Sequence, residues 1–217
     1  MLAFILDRLD AVNRLGEILF ALIMALGFTG ACRLGLDKPD NRELFGGILG
    51  CNLAWAIVDG AMYAMTALFE RGRRARLLRM VLKAPTQDDA LRRIDKELGD
   101  RFKSLTTEVE RRQIYGWVMA MARRGTHEPA RLYREDVEGG AAVALVILLA
   151  TMPVVIPFLI FRDPQVAVRA SNLVAIALLF CVGCWWGQEI GANRLRVGVG
   201  LMLVGVLLVL IAVVLGG

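Results

Sequence analysis

Histidine is almost missing from this sequence: His127 is the only one in 217 residues. A zinc or di-iron site built on several imidazoles is thereby excluded. Cysteine is scarce too. Cys32, Cys51, Cys181 and Cys184 all fall in or beside apolar runs, so no disulfide framework is expected and the redox compartment is left open. There is no Walker A, GxSxG or HExxH pattern and no nucleophile beside a histidine, so no enzymatic activity and no bound cofactor are expected. Nowhere do apolar and polar residues alternate with the period of a strand. The start, MLAFILDRLDAVNRLG, has no basic lead and meets Asp7 and Asp10 early, so it reads as a short amphipathic lead-in rather than a secretory signal.

What the chain has in excess is apolar length. Hydrophobic residues make up 57% of it and the mean hydropathy is +0.55, above the range of ordinary soluble domains. Five runs approach the ~20 residues that a bilayer requires. They are residues 15–35, 45–68, 139–161, 166–188 and 197–216. The charges avoid them. Of the 26 Lys and Arg, 17 lie between residues 70 and 137, together with 11 of the 21 Asp and Glu, a local net charge of +6. The expected class is all-α: a polytopic membrane protein of five spans with one basic helical insert between the second and third. The expected boundaries are 1–70 for the lead-in and first two spans, 71–137 for the insert and 138–217 for the last three.

Lys and Arg bias sets an orientation. With ERGRRARLLR and the insert in the cytoplasm, Arg8, Arg14, Arg194 and Arg196 share that side. Arg33, Lys38, Arg42, Arg162 and Arg169 then lie opposite with the carboxy terminus. The basic run 71–83 follows directly on a membrane run, which suits anionic lipid headgroups better than nucleic acid.

Within the insert, Thr86 with Asp89 three residues on predicts a helix start, and Gly99 its stop. Thr106 or Thr107 predicts a second start, with Arg123, Arg124 and Gly125 as its end. A third helix is expected to restart at Thr126 and run straight into the membrane run at 139. His127 is expected in the turn at Thr126. Pro153 and Pro157 are expected to break the third membrane helix near its outer end and free backbone carbonyls there, or simply to kink it.

Polar residues inside the apolar runs are the candidates for function, because carboxylates at that depth are costly. Asn52 and Asp59 are two helical turns apart and share a face; Met62, Tyr63 and Thr66 continue roughly along it. Such a stripe faces a partner helix or a water-filled path. Oxygen ligands suit hard cations, and a thioether favours a softer metal such as ferrous iron. The alternative is that Asp59 is a hydrogen-bonded helix clamp, with Met62 and Met65 as packing. Glu17 is either a second station for a cation or proton, or an interfacial residue reaching water. Glu70 stands where such a path would open. In the insert, Glu135 and Glu138 form an ExxE pair of the kind that chelates divalent metal when another helix adds oxygens. Ordinary solvated ion pairs are the competing explanation for all the insert acids. Cys181 and Cys184 share a face, but a lone CxxC in an apolar helix reads as packing.

The segments VDGAMYAM, EVERRQIYGWV and GGAAVALVILLATMPVVIPF, set in two spans, a Glu- and Met-bearing insert and three further spans, resemble the vacuolar iron transporter family. The resemblance covers most of the chain as architecture. It implies a homodimeric five-helix fold exchanging Fe²⁺ or a related divalent metal such as Mn²⁺ for protons. It also implies Asp59 as the intramembrane carboxylate, Met62 as its companion, and Glu108, Glu110, Glu135 and Glu138 with Met119 or Met121 as a metal-collecting site. The family carries Asn-Asp-Gly in its first span; here Asp-Gly lies in the second, with the asparagine seven residues back, and the first span offers Glu17. The expected function is export of a divalent metal in exchange for protons, in a bacterial inner membrane, with the N-terminus and insert cytoplasmic. The rival is a non-transporting scaffold whose insert docks a soluble partner.

Overall fold

The computed structural model describes residues 1–32, 40–124 and 129–214. Among them are eight helices and no strand: α1 (Leu2–Arg8), α2 (Ala11–Cys32), α3 (Asn41–Leu82), α4 (Gln87–Phe102), α5 (Glu108–Arg124), α6 (Arg134–Ile160), α7 (Pro164–Glu189) and α8 (Arg194–Val214). Gly125, Thr126, His127 and Glu128, like Arg33 and Lys38, lie outside the described residues. Four helices are long and apolar enough to cross a membrane: α2 over Ala11–Gly30, α3, α6 and α7.

Short polar side chains start the helices by occupying their orphan N–H groups. Asp10 accepts from the Asn13 amide at 2.7 Å ahead of α2, and Asp163 from the Gln165 amide at 2.8 Å ahead of α7, whose first residue is Pro164. Asp40 and Glu43 cap α3 reciprocally, each taking the other's amide. Asn193 accepts from the Arg196 amide at the start of α8.

The chain divides into two compact units. The first comprises Met1–Ala64 and Arg134–Gly217, and the second Met65–Tyr133. In the first, α2 packs against α6, α7 and α8, and α7 against α8. One core gathers Leu22, Leu26, Ile48, Val154, Phe158 and Leu179; a second gathers Ile5, Ala56, Val143 and Ile147. Glycines set the closest crossings. A methyl at Gly60 of α3 would lie 2.7 Å from the Gly140 carbonyl oxygen of α6, and one at Gly183 of α7 would lie 2.8 Å from the Gly198 Cα of α8. The α7–α8 turn closes through the Ala192 amide on the Gly187 carbonyl and the Gly191 amide on the Gln188 carbonyl, with Gly191 at φ 68°. That pair of bonds is a Schellman cap, whose left-handed residue favours glycine.

The second unit packs α4 and α5 with the last turns of α3 around Val81, Ala90, Ile94, Tyr115 and Met119. α3 continues through the basic run 71–83 to Leu82, because Arg, Leu, Ala and Met are all good helix formers, and the stop comes only ahead of Pro85. Two expectations are corrected here and one in the first unit. Gly99 does not end α4, which runs to Phe102. Its missing side chain leaves room for the Asp95 carboxylate, which a Cβ there would meet at 2.9 Å and which accepts the Tyr115 hydroxyl at 2.9 Å. The helix that runs into the third membrane run starts later than expected: residues 129–133 are non-helical and α6 starts at Arg134, while Thr126 lies outside the described residues. The Arg71 and Arg131 guanidiniums flank the Tyr133 ring at 4.6 and 5.0 Å. In the first unit, α6 passes unbroken through Pro153 and Pro157. Along the same stretch the buried Ser171 hydroxyl of α7 donates to the Val154 carbonyl at 2.7 Å, tying α7 to α6.

Candidate functional site

The register between α2 and α3 assembles the site. Phe28 packs over Gly47, and Phe20 meets Trp55 edge-on at 5.8 Å between ring centroids. Both contacts obey one antiparallel register, and continuing it by one turn brings Glu17 level with Val58, next to Asp59. Their carboxyls are within electrostatic reach of each other, and both residues are half-buried. Two acids from different helices, each inside an apolar segment, are thus within electrostatic reach of each other. Asn52, two turns further along α3, is fully buried. Its amide N–H donates to the Ile48 carbonyl at 3.1 Å, while its side-chain oxygen is buried and meets no donor among the described residues.

The rest of the expected stripe spreads out. Tyr63 is half-buried, with its ring filling the space left by Gly139 and its hydroxyl donating to the Arg8 carbonyl at 3.4 Å. Met62 is 56% exposed on the outer side of α3, and Met65 and Thr66 are exposed as well. Glu70 lies further along α3 and is half-buried.

The expected metal-collecting residues occupy different surroundings. In the second unit, Thr107 and Glu110 form the capping box of α5: the Thr107 amide donates to the Glu110 carboxylate at 2.8 Å and the Glu110 amide to the Thr107 hydroxyl at 3.4 Å. Those donors hold the Glu110 carboxyl below its ordinary value. Glu108 pairs with Arg112 at 2.9 Å and lines a cleft of about 410 Å³ with Asp88, Asp95, Arg92, Arg111 and Tyr115. Met119 is in the core under Arg123, whereas Met121 is 64% exposed. In the first unit, Glu135 is exposed and Glu138 is clamped by Arg8 and by Arg134, the latter at 2.7 Å. Among the described residues, no three His, Cys, Asp or Glu side chains are gathered around one point. The basic run lines a cleft of about 720 Å³ in which Arg73, Arg76, Arg93 and Lys96 face one carboxylate, Glu97, bound to Arg73 at 2.5 Å.

Several polar residues were not singled out from sequence. Asp136, between the two acids of the ExxE pair, is 4% exposed in the first turn of α6. Thr29 donates to the Asn172 side-chain oxygen at 2.7 Å, tying α2 to α7 inside the core. The signal for both was available: a third acid inside the pair, and a lone hydroxyl and amide within apolar runs. No protein-family model matches the chain, and a search of curated proteins finds no match.

Proposed function

We propose that this protein is a membrane transporter that exports a divalent metal ion, Fe²⁺ or Mn²⁺, from the cytoplasm in exchange for protons. The observation that carries this reading is the Glu17–Asp59 carboxylate pair, contributed by two helices that are each apolar enough to span a membrane. An intramembrane acid is a costly residue with a default functional interpretation, and two of them within electrostatic reach of each other are costlier still. A dication satisfies both carboxylates at once, and protons satisfy them one at a time, so the two cargoes exclude each other. That exclusion is the requirement for exchange. The Asn52 oxygen, buried without a donor among the described residues, offers a further hard ligand along the same helix.

In the full proposal the chain has five spans, α8 being the last, and a homodimer covers the outer side of α3 where Ile57, Val58 and Met62 are exposed. The N-terminus and the second unit lie in the cytoplasm of a bacterial inner membrane, the carboxy terminus lies outside, and the cleft at Arg73 and Arg76 meets anionic lipid. Proteoliposomes loaded with a pH dye test the core of it: adding Fe²⁺ or Mn²⁺ is expected to drive proton movement that Asp59→Asn abolishes. Undiminished flux in Asp59→Asn would overturn the mechanism.

One observation favours the second reading, a scaffold without transport. Val109, Trp117 and Met121 recur along α5 and are 68%, 68% and 64% exposed, an apolar face suited to a soluble partner. Elemental analysis after Fe²⁺ or Mn²⁺ loading separates the two, since the scaffold retains no metal.

A further inference from the structure

The first unit carries a groove of about 340 Å³ between α1, α2, α6 and α7, lined by Ile5, Leu15, Ile18, Leu149, Pro153 and other apolar side chains, with a single charged residue, Arg14. Its direction follows from the helix ends. Arg8, just ahead of α2, pairs with Glu138 in the second turn of α6, so α2 and α6 begin at the same end. The link between α6 and α7 is three residues, so α7 returns antiparallel and finishes there. Arg14, in the first turn of α2, and Trp185, near the end of α7, therefore mark one mouth of the groove. Leu149, Pro153 and Leu178 lie deeper.

We propose that this groove seats one acyl chain of an anionic phospholipid, with the headgroup phosphate on the Arg14 guanidinium. Charge complementarity selects the occupant. Among the described residues Arg14 meets no carboxylate: one N–H is spent on the Leu9 carbonyl at the α1–α2 break, and the adjacent Asp10 is turned to the Asn13 amide. A guanidinium has five donors, so most of its fork is free for phosphate oxygens. Trp185, 52% exposed at the same mouth, is the residue type that settles at headgroup level. The space suits a chain: an acyl methylene is roughly the size of a water molecule, ~30 Å³, so the groove takes about eleven carbons. This site is separate from the basic run of the second unit and independent of the Glu17–Asp59 pair.

Native mass spectrometry of the full chain, released from micelles containing equal phosphatidylglycerol and phosphatidylcholine, tests it. The parent is expected to retain phosphatidylglycerol in preference. Arg14→Gln should lower that retention about tenfold, Arg14→Lys should keep most of it, and Ala150→Trp, which fills the groove, should remove it. Equal retention of the two lipids by the parent, or an Arg14→Gln variant indistinguishable from it, would overturn the proposal. So would an Ala150→Trp variant that changes the protein from dimer to monomer with its lipid unaltered, since the occupant would then be a second copy of the chain.

Discussion

Asn52 poses the sharpest question at the scale of single residues. Its side-chain oxygen is fully buried without a donor among the described residues, an arrangement that costs about 1–3 kcal/mol when only stability is at stake. Asn52→Leu keeps the volume and removes the unmet acceptor. It is expected to raise the melting temperature in detergent while lowering metal-driven proton movement; a lower melting temperature would count against an unmet acceptor there. The caps of the second unit give a pH prediction. Asp89 is held below its ordinary value first by the Arg92 guanidinium and then by the Thr86 hydroxyl, and Glu110 by the Thr107 amide and hydroxyl. Depressed carboxylates stabilise the fold fully above the ordinary range of roughly pH 4–4.5, and that contribution is lost as pH falls through the lower folded values. Amide resonances of Asp89 and Glu110 followed by NMR should therefore titrate below the ordinary range of their carboxyl types, and midpoints above it would contradict the caps. The Thr86 start was legible in the sequence because it stands among polar residues with an acid three positions on. Asp10, Asp40, Asp163 and Asn193 perform the same service beside apolar runs, where hydropathy dominates what a sequence displays.

Among the elements, the apolar runs were legible for one physical reason: a bilayer demands about twenty consecutive apolar residues, and few other constraints produce that pattern. Where a helix leaves the apolar regime the same signal goes silent. α3 continues into ERGRRARLLRM because helix propensity is indifferent to charge, so its end was found only in the coordinates. The prolines of α6 misled in the opposite direction, since the helix continues through both of them despite the two missing donors. The close approach of Gly60 to Gly140 joins two residues far apart in sequence and could not be read from either run alone. Gly60→Val places side-chain atoms against the Gly140 carbonyl backbone, which cannot retreat cheaply. The expected loss is about 3 kcal/mol, read as a lower melting temperature and poorer recovery from detergent, whereas Gly46→Val, in open space, should be tolerated.

For the whole molecule, the sequence displayed two kinds of territory, apolar and basic, and the chain folds as two compact units, Met1–Ala64 with Arg134–Gly217 and Met65–Tyr133. The candidate site was only half legible. Asp59 announced itself by its surroundings, but Glu17 looked like an interfacial residue until the Phe20–Trp55 and Phe28–Gly47 contacts fixed the register that brings it level with Val58, next to Asp59. The insert acids were open to two readings, a collecting site implied by the resemblance or ordinary ion pairs; Glu110 serves a cap, Glu108 pairs with Arg112 and Glu138 is clamped by Arg8 and Arg134. Pairing across helices depends on register, which composition does not encode. If the carboxylate pair is the transport station, Glu17 and Asp59 must matter together. The most direct measurement is Fe²⁺- or Mn²⁺-driven proton movement in proteoliposomes for the parent, Glu17→Gln, Asp59→Asn and the double variant. Each single variant is expected to lose at least tenfold, with the double variant no worse than the more impaired single one. Parent-like flux in Asp59→Asn, or fully additive losses in the double variant, would contradict a shared site.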